Sequence, residues 1–128
     1  MIEIKFRAWD KVGKKMWKVF SMKFFGEKGD FDLQVEGNED EEWEEEPDFV
    51  TMQNIGLKDM KGKDIYEGDI LQDVKMIKIR KELAIYEIVF LGGSFCLKGS
   101  EETIPIFAYD GNSLDNMEII GNIYENLD

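Results

Sequence analysis

The stretch GKDIYEGDI, residues 62–70, decides the fold class of this 128-residue chain. Ile65 and Tyr66 have the β-branched and aromatic character of a strand, and Gly68 permits a bulge or the close approach of another segment. Ile70 then continues the apolar pattern beyond the glycine. The stretch therefore predicts β-structure at the centre of the chain.

The segments after this stretch are short, closely spaced and joined by glycine turns. Strand candidates cover residues 74–79, 84–91 and 94–97, and Gly92-Gly93 between the last two is a signal for a two-residue hairpin turn. Such spacing is typical of a small barrel or a strongly bent sheet. The order YEGDI, residues 66–70, is also similar to the beginning of a strand in SH3-like barrels, and a generic strand with a glycine bulge fits it equally well.

Turn chemistry precedes the central stretch. Within residues 58–63, Asp59 can accept hydrogen bonds from its own backbone, and Gly62 can adopt a positive φ angle. Residues 48–57 before this turn predict an ordered, half-buried segment. Its core candidates are Phe49, Val50, Met52, Ile55 and Leu57.

The two ends of the chain also indicate strands. Apolar and polar residues alternate over 2–9, a turn composition follows at 10–15, and a second apolar run covers 16–25, which together predict an N-terminal hairpin. Near the other end, 112–116 suits a short turn and 117–123 alternates along a closing strand. The sequence therefore predicts a mainly β fold with minor α, made of an N-terminal hairpin and a small SH3-like or bent-sheet barrel.

Charge is distributed unevenly along the chain, whose net charge is −12. Residues 1–29 hold eight basic and three acidic side chains, whereas residues 30–50 hold eleven acidic and no basic ones. Residues 99–128 are likewise acidic, with seven acids and no base. Because mutual repulsion opposes compact packing, we predict a flexible acidic loop over residues 36–47.

The length fits a single domain over residues 1–128. It can divide into an N-terminal subdomain, residues 1–57, and a β-barrel subdomain, residues 58–128. No segment has the layout of a signal peptide, and no apolar run approaches the roughly 20 residues that cross a bilayer. We therefore predict a cytoplasmic location without membrane contact.

The composition restricts the possible chemistry. The chain has no histidine, which excludes imidazole-based nucleophilic catalysis and imidazole metal ligands, and its one cysteine, Cys96, lies in an apolar run. A carboxylate pair could be chosen from Glu67, Asp69 and Asp110, but a chain with 28 acids always offers such a pair. Phosphate-binding glycine loops are absent from the sequence. We predict that the protein is not an enzyme and has no cofactor or metal.

Two opposite nucleic-acid hypotheses follow from the charge pattern. Residues 39–48, with Trp43 as an apolar anchor, could mimic a phosphate backbone and occupy a DNA-binding protein. Alternatively, a basic face with aromatic partners could bind a nucleic acid, against the repulsion of the net charge of −12. That face would contain Lys5, Arg7, Lys11, Lys14, Lys15 and Lys18 together with Trp9 and Trp17.

Three blocks of the sequence, taken in order, resemble the YopX family of proteins encoded by bacteriophages and prophages. They are IKFRAWD at 4–10, GKDIYEGDI at 62–70 and IIGNIYEN at 119–126. The resemblance implies no catalytic residues, and most matching positions are interpreted as fold-specifying. The alternative is that part of them converges on one binding surface. Its members would be Arg7, Trp9, Asp10, Tyr66, Glu67 and Asp69.

The resemblance and the composition together give the functional prediction. We expect a non-enzymatic phage or prophage accessory protein that acts in the host cell cytoplasm through protein or nucleic-acid contacts. Exposed sheet edges and aromatic side chains further predict a homo-oligomer. The alternative is an acidic, host-directed inhibitor of the DNA-mimic type.

Overall fold

The computed structural model is mainly β with a short α-helix, as the sequence predicts. It describes residues 5–25, 30–35, 44–45, 49–80, 84–109 and 114–125. These residues form two compact units, and the boundary between the units falls at Gln53 and Asn54, inside one strand. No helix in the described ranges is long and apolar enough to cross a membrane.

The first unit is built around the predicted N-terminal hairpin. Its strands are β1 (Phe6–Asp10), β2 (Lys15–Phe25), β3 (Asp30–Val35), β4 (Glu44–Glu45) and the first half of β5 (Phe49–Lys58). They pair antiparallel in the order β4-β3-β2-β1-β5. Ala8 and Phe49 are buried and form a small core on this sheet, and Trp17 and Val19 pack against them.

The second unit carries a five-stranded antiparallel sheet. Its strands are β7 (Asp69–Asp73), β8 (Ile85–Leu91), β9 (Ser94–Lys98), β10 (Thr103–Pro105) and β11 (Met117–Asn122), in the order β10-β9-β8-β7-β11. The sheet curls into a half-barrel, which is the bent sheet expected from its glycine turns. The short strand β6 (Asp64–Tyr66) pairs with the second half of β5.

The core of the second unit follows from the period-two alternation of its strands. Ile65, Leu71, Ile88, Leu97 and Met117 are almost completely shielded from solvent and contact one another in one cluster. Burying each of these side chains contributes about 1.5–3 kcal/mol relative to leaving it exposed. This cluster therefore holds β6, β7, β8, β9 and β11 together.

The predicted glycine turn between β8 and β9 is confirmed. Gly92 and Gly93 have φ angles of 59° and 83°, a region that L-residues with a side chain adopt at a cost. These angles suit the tight turns whose twist matches that of the flanking strands. The turn sets the register in which Phe90 lies opposite Phe95.

Both outer strands of the half-barrel sheet deviate from a regular edge. Strand β10 is only three residues long and ends in Pro105, which has no backbone N–H to donate. Strand β11 changes register between Ile119 and Gly121. Each outer strand thus presents an interrupted row of hydrogen-bonding groups.

One predicted strand is wrong. Residues 74–79 lie in a helix, α1 (Val74–Arg80), because the Asp73 Oδ1 atom accepts the Met76 N–H at 2.9 Å and caps the first turn. The Val74 N–H also donates to the Asn116 carbonyl at 2.9 Å, a partner distant in sequence. The apolar alternation of residues 74–79 predicts a strand, but the helix cap and the tertiary hydrogen bond stabilise a helix instead.

The acidic segment is only partly described. Glu44–Glu45 is not loop but strand β4, which pairs with β3 and places Glu45 opposite Asp32. Strand β3 itself was not predicted. Residues 36–43 and 46–47 of the predicted loop lie outside the described residues, so the flexible loop and the phosphate-mimic hypothesis stay predictions.

Candidate functional site

The six residues of the predicted binding surface fall into both units. Arg7, Trp9 and Asp10 belong to β1 of the first unit, whereas Tyr66, Glu67 and Asp69 lie around the turn from β6 to β7 in the second. Their convergence on one surface stays a prediction. Within each group, the structure shows what the side chains do locally.

In the first group, strand alternation separates the side chains. Arg7 and Trp9 are on one face of β1 and Asp10 is on the other. Trp9 is buried, with 8% of its surface exposed. The Asp10 Oδ1 atom accepts the N–H groups of Val12 and Gly13 at 3.0 and 2.8 Å. Asp10 is therefore committed to shaping the β1–β2 turn.

The fit of that turn is close. A Cβ atom on Gly13 would lie 2.6 Å from the Asp10 Oδ2 atom, which is shorter than any normal contact. The left-handed conformation in the turn is taken by Lys14, whose φ angle is 56° and whose N–H donates to the Asp10 carbonyl at 2.8 Å. Position 13 therefore favours glycine, because a side chain would collide with the Asp10 carboxylate, and Lys14 adopts the left-handed conformation.

In the second group, Asp69 is a structural residue. Only 2% of its surface is exposed, and its Oδ2 atom accepts the Tyr66 N–H at 2.8 Å.

The Gly68 N–H donates to the Ile88 carbonyl, and the Ile123 N–H donates to the Gly68 carbonyl, both at 2.9 Å. The predicted close approach of another segment at Gly68 is confirmed.

Asp59 connects two distant parts of the second unit. Its Oδ1 atom accepts the Lys61 and Lys63 N–H groups at 2.9 Å, which shapes the predicted turn, and its Oδ2 atom accepts the Ile119 N–H of β11 at 3.1 Å. The Met60 N–H adds a bond to the Met117 carbonyl at 2.8 Å. Asp59 is buried and holds the β5–β6 turn against the closing strand.

The environment of Asp59 shifts its acidity. Burial alone would raise the pKa of the Asp59 carboxyl, but the N–H groups of Ile119, Lys63 and Lys61 and the charge of Lys63 outweigh burial. They hold the pKa below the ordinary value of 3.8. The carboxylate form of Asp59 is therefore part of the folded structure.

This shift predicts a contribution of Asp59 to acid denaturation. Because the folded pKa is depressed, the stabilisation is complete above the unfolded pKa and is lost as the pH falls through the folded pKa. We expect the free energy of unfolding of the wild type to decrease as the pH is lowered below about 4. The decrease should be smaller in Asp59→Asn. Urea unfolding at a series of pH values measures both; parallel curves for the two proteins would contradict the prediction.

A further polar cluster was missed by sequence reasoning. The Tyr109 hydroxyl donates to the Asp73 Oδ2 atom, and the Tyr86 and Tyr109 rings meet edge to face with centroids 5.9 Å apart. Burial raises the pKa of Tyr109, and its bond to the Asp73 carboxylate raises it further, so the phenol stays protonated at neutral pH. Asp73 thus joins the α1 cap to the segment after β10.

An open cleft with a volume of 670 Å³ lies beside the Asp59 turn. Leu57, Met60 and Leu114 give it apolar walls, and Lys58 and Asp115 give it charged ones. Asp59 also lines the cleft, but both of its oxygen atoms accept backbone N–H groups. The buried carboxylate next to this cleft is therefore committed to the fold.

Other chemistry was sought in the described residues. They contain no group of three or more Asp, Glu, Cys or His side chains placed to hold a metal ion. Of the carboxylates considered as an acid–base pair, Asp69 is hydrogen-bonded to its own turn, and Asp110 lies outside the described residues. Cys96 is buried, as its apolar neighbours predict.

Two groups of side chains are exposed to solvent, one in each unit. In the second unit, Phe90 and Leu91 are 51% and 53% exposed beside the Gly92-Gly93 turn, and Phe107 is 67% exposed. We call these three side chains the apolar patch. In the first unit, the β1–β2 hairpin exposes Lys11, Lys14, Lys15 and Lys18, which we call the basic hairpin.

These features define the class: a mainly β protein whose buried Asp side chains fix turns or a helix end, and which exposes an apolar patch and a basic hairpin. The chain belongs to the YopX family, whose profile, described as YopX protein, matches residues 5–127. The resemblance noted from the three sequence blocks is thereby confirmed. No curated protein matches the sequence.

Two solved structures are similar over almost the whole chain. The crystal structure of protein EF1440 from Enterococcus faecalis has a TM-score of 0.66 and 27% identity, and the match covers 98% of this chain and 96% of that one. The crystal structure of protein yopX from Bacillus subtilis has a TM-score of 0.61 and 18% identity, covering 95% and 94%. At 18% identity, the second likeness shows a shared fold alone.

Proposed function

We propose that this protein is a non-enzymatic phage or prophage accessory protein that works in the host cytoplasm by contacting other macromolecules, and that it self-associates. Membership of the YopX family supports the first part. The roles of three buried carboxylates support the non-enzymatic character. Asp59, Asp69 and Asp73 each accept backbone N–H groups that fix turns or a helix end. The observation that carries the second part is the apolar patch.

The apolar patch lies in a region without charge. Residues 88–97 and 103–109 contain no ionisable Asp, Glu, Lys or Arg side chain, although 34% of the chain is charged. Pairing of β9 with β10, in which Cys96 lies opposite Pro105, brings the two stretches side by side. Exposed aromatic side chains in such a region favour burial against another apolar surface.

The argument for a second copy as the occupant is electrostatic. Two chains that each carry a net charge of −12 repel one another wherever acidic surfaces meet. An uncharged face avoids that repulsion and buries apolar area on both sides. Phe90 also stands edge to face against Phe95, with centroids 5.0 Å apart, so this ring loses little side-chain freedom when it is covered.

Light scattering coupled to size exclusion tests this assembly. We expect a multiple of the 14.9 kDa chain mass at micromolar concentration, and the single-chain mass for the triple variant Phe90→Ser, Leu91→Ser, Phe107→Ser. Raising the salt should preserve the assembly, because salt screens the acidic repulsion but not apolar burial.

The control is Val12→Ser, which removes an apolar side chain that is 80% exposed, more than any side chain of the apolar patch, from the first unit. This variant should keep the mass of the wild type. A wild type that is a single chain throughout the micromolar range, or a triple variant that assembles like the wild type, would refute self-association through the apolar patch.

A further inference from the structure

We infer that the basic hairpin is a binding site for the phosphate backbone of duplex DNA. The inference rests on the proposed non-enzymatic function and names one of the macromolecules contacted. It concerns the first unit, whereas the apolar patch lies in the second, so the two proposals are tested with different residues.

The first support is the concentration of cations at one hairpin. Residues 11–18 contain four lysines and no acid, and all four lysines are exposed. In the strand register Lys18 lies opposite Arg7, and Lys15 lies opposite Asp10. Asp10 is the one acid of residues 5–25; its Oδ1 atom accepts two N–H groups of the turn, and its charge offsets one of the lysines.

The second support is the conformation of Lys14. The left-handed conformation is disfavoured for a residue with a side chain, and glycine adopts it without that cost. Lys14 takes this position with φ of 56° although Gly13 is its neighbour. A strained lysine at an exposed turn is an outlier of the kind that accompanies functional sites.

The aromatic side chains indicate which part of a nucleic acid is bound. Trp9 is buried, and the Lys15 Nζ atom stands over the ring of half-buried Trp17 at 4.1 Å from its centroid. Neither indole is presented for stacking on unpaired bases, which is the means that single-strand binders use. Exposed lysines can bind phosphate groups without any aromatic side chain that stacks on bases. Duplex DNA presents phosphate groups on its surface while its bases stay stacked inside, so duplex DNA is the better match.

The acids of β3 that the structure describes lie far along β2 from the turn. Among the described residues of β3, Asp32 pairs with Lys23, eight positions along β2 from Lys15. That separation is about 26 Å at a strand rise of roughly 3.3 Å per residue. It is about three Debye lengths at physiological salt, so these acids are largely screened from a phosphate at the turn.

Fluorescence anisotropy with a labelled random-sequence DNA duplex tests the site. If Lys11, Lys14 and Lys15 each neutralise a phosphate, the logarithm of the binding constant should fall against the logarithm of salt concentration with a slope of about −2.7 per bound hairpin. The variant Lys11→Gln, Lys14→Gln, Lys15→Gln should lose most of that slope. Thermal unfolding verifies that these exposed substitutions leave the fold intact.

The matched control replaces exposed lysines of α1, Lys75→Gln and Lys78→Gln, and should bind as the wild type does. The triple apolar-patch variant should bind more weakly, through loss of avidity, but keep the slope expected for one hairpin. Absence of binding at low salt would overturn the inference. So would equal losses in the α1 control, or competition by polyglutamate as strong as that by unlabelled duplex, which would indicate an acidic protein as the partner.

Discussion

Replacing Asp59 by alanine is expected to destabilise the fold by about 3 kcal/mol, because buried donors left without an acceptor cost roughly 1–3 kcal/mol each and water reaches the more exposed ones. The Lys61, Lys63 and Ile119 N–H groups all lose their acceptor together. Lys61 and Lys63 lie in an exposed turn, so we expect the Ile119 N–H in β11 to account for the largest part. Urea unfolding at neutral pH measures the loss.

Two further variants separate the causes. Glu101→Ala removes the same charge from an exposed position and should change the free energy of unfolding by less than about 0.5 kcal/mol. Asp59→Asn supplies one acceptor oxygen, which can serve either the turn N–H groups or the Ile119 N–H but not both, so its loss should be intermediate. An alanine variant as stable as Glu101→Ala would show that Asp59 does not hold the turn to β11.

Replacing Asp73 by alanine is the second large effect that we expect, a loss of about 2–3 kcal/mol. A helix N-cap contributes typically 1 kcal/mol, and the Met76 N–H would lose this cap. The Tyr109 hydroxyl would also lose its charged acceptor, and hydrogen bonds to charged groups contribute about 1.5–3 kcal/mol. Chemical denaturation followed by circular dichroism reports both the stability and the helical signal.

A double-mutant cycle divides this effect. Tyr109→Phe removes the hydroxyl and leaves the cap, so it should cost less than Asp73→Ala. In the combined variant the two losses should be less than additive, since both changes break the same bond. Strict additivity would mean that Asp73 and Tyr109 do not interact in solution.

The sequence was sufficient for several turns that neighbouring residues close. The Gly92-Gly93 hairpin, the Asp59–Gly62 turn and the Asp10 turn are all closed by groups within a few positions of one another. Strand alternation likewise predicted the closing strand, which the structure shows as β11 with Met117 buried. These elements account for the correct fold class.

Features that depend on distant partners were not predicted. Helix α1 follows an apolar alternation that also suits a strand, and its first turn is fixed by Asp73 and by the Asn116 carbonyl. The Tyr109 hydroxyl and Asp73 are 36 residues apart, without any local signal of their contact. Strand β3 does alternate, with Phe31 and Leu33 between polar residues, but its acidity obscured the pattern.

For the candidate sites, residue type was predictable and exposure was not. The sequence identified the lysines near the N-terminus together with Trp9 and Trp17, but only the structure shows that Trp9 is buried. Phe90 and Phe107 look like core residues by their apolar character, yet both are more than half exposed. Alternation gives two faces for a strand, and it does not reveal which of them another element covers.

The interrupted outer strands of the half-barrel sheet limit how copies can combine. Pro105 on β10 and the register change between Ile119 and Gly121 on β11 hinder backbone pairing with a strand from another molecule. If copies associate as proposed, their contacts at this sheet are expected to run through side chains, which disfavours growth of the half-barrel sheet from one copy into the next.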